Sequence, residues 1–65
     1  MRDINGEEFF VGDTLKVIKV RPGTTKFSVG DVVECVFNDG SRVCKFINLV
    51  NGRQGCFVNY FLQKL

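Results

Sequence analysis

Apolar and polar positions along this chain sort into short runs, rich in Val, Ile, Phe and Thr, that turn residues separate. The runs cover residues 14–20, 32–37, 42–49 and 56–58. Around them fall Gly6, Gly12, Pro22-Gly23, Gly30, Asn38-Asp39-Gly40, Asn51-Gly52 and Gly55. β-Branched and aromatic side chains suit a pleated, half-buried surface, and brief runs at this spacing predict the strands of a small sandwich or barrel. Only residues 58–62 have room for a helical turn, too short for an α-helix of consequence. The fold class expected is all-β.

One hairpin can be given a register. Asp39-Gly40 is a strong signal for a two-residue loop. With that loop, partners are residues whose numbers sum to 79: Phe37 with Arg42, Val36 with Val43, Cys35 with Cys44, Glu34 with Lys45, Val33 with Phe46, Val32 with Ile47. An acid then meets a base and an aromatic meets a β-branched residue, pairs that contribute roughly 0.2–1 kcal/mol each. Val33, Cys35, Cys44 and Phe46 share one apolar face, the natural core side. Val32, Glu34, Val36, Val43, Lys45 and Ile47 share a mixed face, which fits an interaction surface or a face covered by the N-terminal segment.

The chain also echoes itself. Phe9-Phe10-Val11-Gly12-Asp13-Thr14-Leu15 returns eighteen positions later as Phe27-Ser28-Val29-Gly30-Asp31-Val32-Val33. Gly accepts positive φ and an Asp side chain bonds nearby backbone, so each copy is expected to turn sharply into a strand. A phosphate cradle would want a helix or a Lys-Ser/Thr after the glycine, and neither copy has one.

Sixty-five residues allow one domain, and so short a chain buries only about 60% of its unfolded surface. Seven Phe within a 45% hydrophobic fraction suffice for one core, and a net charge of +2 is far from the profile of a disordered chain. No apolar run approaches the 18 or so residues that span a membrane. The first eight residues have neither the basic start nor the apolar stretch of a signal peptide, so a cytoplasmic location is expected. Cys35, Cys44 and Cys56 are an odd number, spaced by nine and twelve positions, in a chain without His. Zinc sites usually take four Cys or His ligands, often in close pairs, so the expectation is reduced, buried thiols with no metal and no cofactor.

The second half of the chain carries a resemblance. Phe27-Ser28-Val29-Gly30-Asp31-Val32-Val33-Glu34-Cys35 is similar to the segment of Src-homology-3 (SH3) domains where an aromatic, two variable residues and a Gly-acid pair open a strand. Asn51-Gly52-Arg53-Gln54-Gly55-Cys56-Phe57-Val58-Asn59-Tyr60-Phe61 resembles their end. There a Gly-x-x-Gly turn leads to a buried aliphatic residue and then to a Pro-Ser-Asn-Tyr-Val motif on a short 3-10 turn. The likeness covers about 35 of the 65 residues, and the chain also looks like stand-alone SH3-like proteins of bacteria and phages. It implies a small SH3-like barrel of five to six mostly antiparallel strands over residues 9–65, with a 3-10 turn near 58–61. Residues 1–8 are then a polar N-terminal segment, free to be flexible.

The departures bear on function. SH3 domains that bind proline-rich peptides do so through stacked aromatics: a Tyr-rich motif near the first strand, a Trp opening the second hairpin strand, and the Tyr of the tail. Here there is no Trp, Val43 lies near its place, and Leu15-Lys16-Val17-Ile18-Lys19-Val20 lacks Tyr. The loop over 21–26 is short and basic where peptide-binding members carry a longer acidic one. Only Asn59 and Tyr60 match the ligand-binding set. Rigid rings are what packs a polyproline helix, so proline-rich peptides are not expected to bind.

Catalysis needs a nucleophile with a base, paired acids or a metal. The chain has no His and no Ser or Cys in a recognisable elbow, and its carboxylates cluster only at the polar N-terminus. It reads as no enzyme. The expectation is a small non-catalytic protein-binding module, an adaptor or inhibitor of a larger partner with an acidic surface. Its contact residues would be Tyr60, Asn59, Arg21, Lys26, Arg53 and Gln54, since Tyr and Arg at a rim dominate interface energies. The alternative is a nucleic-acid-binding barrel with a basic strand and loop face of Lys16, Lys19, Arg21 and Lys26. A net charge of only +2, and the need for the Phe side chains in the core, rank it second.

Overall fold

The computed structural model describes residues 2–40, 43–58 and 61–65. Among these are five strands: β1 (Thr14–Val17), β2 (Val32–Phe37), β3 (Val43–Asn48), β4 (Gln54–Val58) and β5 (Leu62–Lys64). They form one antiparallel sheet in the order β4-β3-β2-β1-β5, curled into a half-barrel. Phe61 lies in a 3-10 turn just before β5. No helix of the described residues is long and apolar enough to cross a membrane. The class is all-β, as the alternation of apolar runs and turns predicts.

Burial follows the period of two that a pleated strand imposes. Leu15 and Val17 of β1, Val33 and Cys35 of β2, Cys44 and Phe46 of β3, Phe57 of β4 and Leu62 of β5 point inward. Phe9 from ahead of β1, and Phe27 and Phe61 from the segments before β2 and β5, close the same core. The apolar face read from the sequence is therefore the inner face.

The register of the central hairpin differs from the expected one. β2 and β3 pair Val33 with Asn48, Glu34 with Ile47 and Cys35 with Phe46, two residues away from the register that an Asp39-Gly40 loop sets. The cause is local. Asn38 leaves the strand: its Oδ1 accepts from the Gly40 N–H at 2.9 Å and its Nδ2 donates to the Phe9 carbonyl at 3.3 Å. A bulge between Cys35 and Phe37 then sets Phe37 opposite Lys45. A shift of two keeps every side chain on its own face, whereas a shift of one would have exchanged the faces. Cys35 and Cys44 thus share the core face without being direct partners, and the Lys45 ammonium lies 5.7 Å over the Phe37 ring instead of facing Glu34.

The repeated segment builds the middle of the sheet. In each copy the Asp carboxylate accepts the N–H three residues before it, Phe10 to Asp13 and Ser28 to Asp31, both at 2.9 Å. The preceding glycines, Gly12 at φ 98° and Gly30 at φ 96°, take the left-handed conformation that side chains resist. Each turn then docks on the strand that the other copy leads into. The Gly12 N–H donates to the Cys35 carbonyl, and the Gly30 N–H donates to the Val17 carbonyl. Leu15 and Val33, equivalent in the two copies, pair with each other. The copies are related by a local two-fold axis.

Two buried polar side chains fix the ends. Asn48, with no exposed surface, donates from Nδ2 to the Lys26 carbonyl (3.0 Å) and to Asp31 (2.8 Å), while its Oδ1 accepts from the Val50 N–H (2.9 Å). Asp3 accepts from the N–H groups of Asn5, Glu7 and Lys64. Burial pushes the Asp3 pKa upward, but these hydrogen bonds and the Lys64 charge outweigh it and hold the carboxyl below its ordinary value. The Ile4 N–H donates to the Leu62 carbonyl, so the N-terminal segment lies along β5.

Candidate functional site

β4 is one edge of the sheet, and the chain between β1 and β2 comes down beside it. Lys26 holds that chain in place: its carbonyl accepts from the side chains of Asn48 and, at 3.4 Å, Asn51. The next residue, Phe27, stacks on Phe57 with centroids 4.9 Å apart and planes 7° apart, and Phe57 meets Phe61 edge-on at 5.8 Å. Gly55 leaves room for this, because a Cβ there would come within 3.1 Å of the Phe27 ring. The result is an open groove of about 450 Å³ between β4 and residues 21–27.

One wall of the groove carries Arg21, Thr24, Thr25 and Lys26, and the other Cys56, Phe57 and Val58, with Phe61 at one end. Two cations sit over the Phe61 ring, Lys19 Nζ at 5.4 Å and Arg21 Cζ at 5.8 Å from its centroid. Among the described residues the lining holds two bases and no carboxylate. A shallower hollow of about 190 Å³ lies on the outer side of β4, among Lys45, Gln54, Gly55 and Cys56.

The structure brings some of the expected contact residues together. Arg21 and Lys26 share the groove wall. Gln54 lines the outer hollow instead, and Arg53 is exposed just ahead of β4 and lines neither. Asn59 and Tyr60 lie outside the described residues. Of the alternative basic face, Lys19 joins Arg21 over Phe61 and Lys26 lines the groove, whereas Lys16 is exposed on β1, between Val32 and Gln63, away from the groove. Thr24, Thr25, Cys56 and Phe61 were not legible as site residues.

Burial raises the thiol pKa of Cys35, and burial with the neighbouring Cys35 raises that of Cys44 to about 11, so both stay protonated at neutral pH. All three cysteines are free, and Cys56 alone is exposed. Among the described residues no three His, Cys, Asp or Glu side chains gather as a metal site needs. No protein-family model, no curated protein and no solved structure matches the chain.

Proposed function

We propose that this chain is a small non-catalytic protein-binding module, a barrel of the SH3-like kind, that holds an acidic protein surface in the groove beside β4. The observation that carries the reading is the lining itself: Arg21 and Lys26 across from Phe57 and Val58, with no acid among them. An apolar floor under a cationic rim is the composition of a protein interface, where a desolvated centre supplies affinity and rim charges choose the partner. The order of turn, hairpin, tight turn and short last strand agrees with the SH3-like resemblance and supports that part of the reading. Proline-rich peptides are not its ligands, since the stacking aromatics they need are missing from the sequence.

Lys19 and Arg21 over one ring, with Lys26 in the same groove, also favour a second reading, nucleic-acid binding. Ring geometry argues against it. Single strands stack their bases on open ring faces, and here Phe27 and Phe57 stack on each other while Lys19 and Arg21 cover the Phe61 face. Three cations on a single strand give a logarithmic salt slope of about −2, so such binding weakens about twentyfold from about 50 to about 200 mM salt.

The test is differential capture from an extract of the source cell at near-physiological salt, with wild type beside the double variant R21E/K26E. An acidic protein that survives nuclease treatment, and that the variant loses, supports the reading. Material that nuclease removes, or a protein that both forms retain equally, contradicts it.

A further inference from the structure

The two edges of the sheet are treated differently. β5 is covered by the N-terminal segment, through the Ile4 N–H on the Leu62 carbonyl and the Asp3 carboxylate on the Lys64 N–H. β4 pairs only with β3. Its outward groups follow from the register. The Asn48 N–H donates to the Arg53 carbonyl, and pairs then alternate along the antiparallel ladder. Gly55 and Phe57 therefore bond towards Phe46 and Cys44, and the N–H and C=O of Gln54, Cys56 and Val58 point away from β3. Among the described residues no other backbone group bonds to them. Natural sheets usually cover or blunt such an edge, and this one opens onto the groove.

We propose that the groove takes its partner by strand addition: an extended acidic segment pairs with the outer edge of β4. The proposal rests on the protein-binding reading above and gives it a mode. Main-chain bonds to Gln54, Cys56 and Val58 supply affinity without regard to sequence, and alternate side chains supply selectivity. Those on one side of the added strand meet the apolar floor at Phe57 and Phe61. The others meet Lys45 on the outer face, while Arg21 and Lys26 stand along the far wall of the groove. The segment that fits alternates aliphatic and acidic residues. β4 has five residues, which at about 3.4 Å each gives a footprint of about 17 Å. A second copy of this chain is the wrong occupant. Antiparallel pairing of two β4 strands about Cys56 would oppose the same bases in a chain whose net charge is already +2.

The probe is a capped heptapeptide, Glu-Val-Glu-Val-Glu-Val-Glu, titrated into the full chain labelled with nitrogen-15. Two companions accompany it: the same peptide with alternate backbone amides N-methylated, and the peptide with Lys in place of Glu. We expect shifts centred on residues 54–58 and 21–27, and slower hydrogen exchange at the Cys56 and Val58 amides on saturation. N-methylation should weaken binding by at least about tenfold, because it removes main-chain donors that pair with the edge. The Lys peptide should not bind. Equal binding of the N-methylated peptide, shifts centred on the exposed Phe10 and Phe37, or a free chain that sediments as a dimer would overturn the proposal. If the heptapeptide fails while wild type still captures an acidic protein that R21E/K26E loses, strand addition falls and the protein-binding reading stands. If both fail, the reading falls with it.

Discussion

At the scale of single residues, three side chains carry predictions of different kinds. Asn48 uses both amide hydrogens and its oxygen inside the core, so Asn48→Leu strands the Val50 N–H and leaves the Lys26 carbonyl only its 3.4 Å bond from Asn51. A cost of about 1–3 kcal/mol is expected, read as a fall in the urea midpoint. The cysteines give a pH signature. The Cys44 pKa is raised to about 11 by burial and by Cys35, so the folded state favours the protonated thiol. Stability from this source is complete below the unfolded thiol value, about 8.5, and drains away as pH rises towards 11. Cys44→Ala should flatten that alkaline slope in denaturant melts. Asp3 works in the other direction, because its folded pKa is lowered. What it contributes is complete above about pH 4 and lost as pH falls through the folded value, so Asp3→Asn should remove part of the acid transition.

At the scale of elements, the repeated turns invite comparison. Gly12 and Gly30 have open space where a Cβ would go, so the cost of Gly→Ala at either is backbone strain alone, about 1–2 kcal/mol. The aspartates are not equivalent, because Asp31 also accepts from Asn48 while Asp13 faces Lys64 at 3.7 Å on a part-exposed rim. Thermal melts should therefore show Asp31→Ala more destabilising than Asp13→Ala, by about the worth of one buried hydrogen bond, 0.5–1.5 kcal/mol. These turns were legible in the sequence because their chemistry is local: a glycine for φ and an acid three residues from the amide it caps. So were the faces of β2 and β3, since Val33, Cys35, Cys44 and Phe46 share a period of two. The register was not. It turns on Asn38 reaching the Phe9 carbonyl, a contact across 29 positions that no turn rule contains.

At the scale of the whole molecule, the same division applies to the groove. Arg21 and Lys26 stood out as a basic loop, but the wall they face is β4, about thirty residues later, and only the curl of the sheet brings the two together. Lys16 looked like a member of the same cluster until strand alternation turned it to the other side of β1. Phe61 was expected in a 3-10 turn near the chain end, and nothing local told that it would lie beneath Lys19 and Arg21. The central claim is that the β4 groove is where a partner binds, and Cys56 makes it directly testable. As the one exposed thiol lining the groove, it should react with a maleimide at once, while Cys35 and Cys44 wait for the core to open. The measurement is retention of the captured partner by the chain alkylated at Cys56, with an amide spectrum to show that the fold is intact. The thiol stands on the Lys45 side of β4, so alkylation crowds the outer edge of the strand, and the account predicts a loss of at least about tenfold in affinity, about 1.4 kcal/mol. Undiminished retention by the folded, alkylated chain would place the binding surface elsewhere.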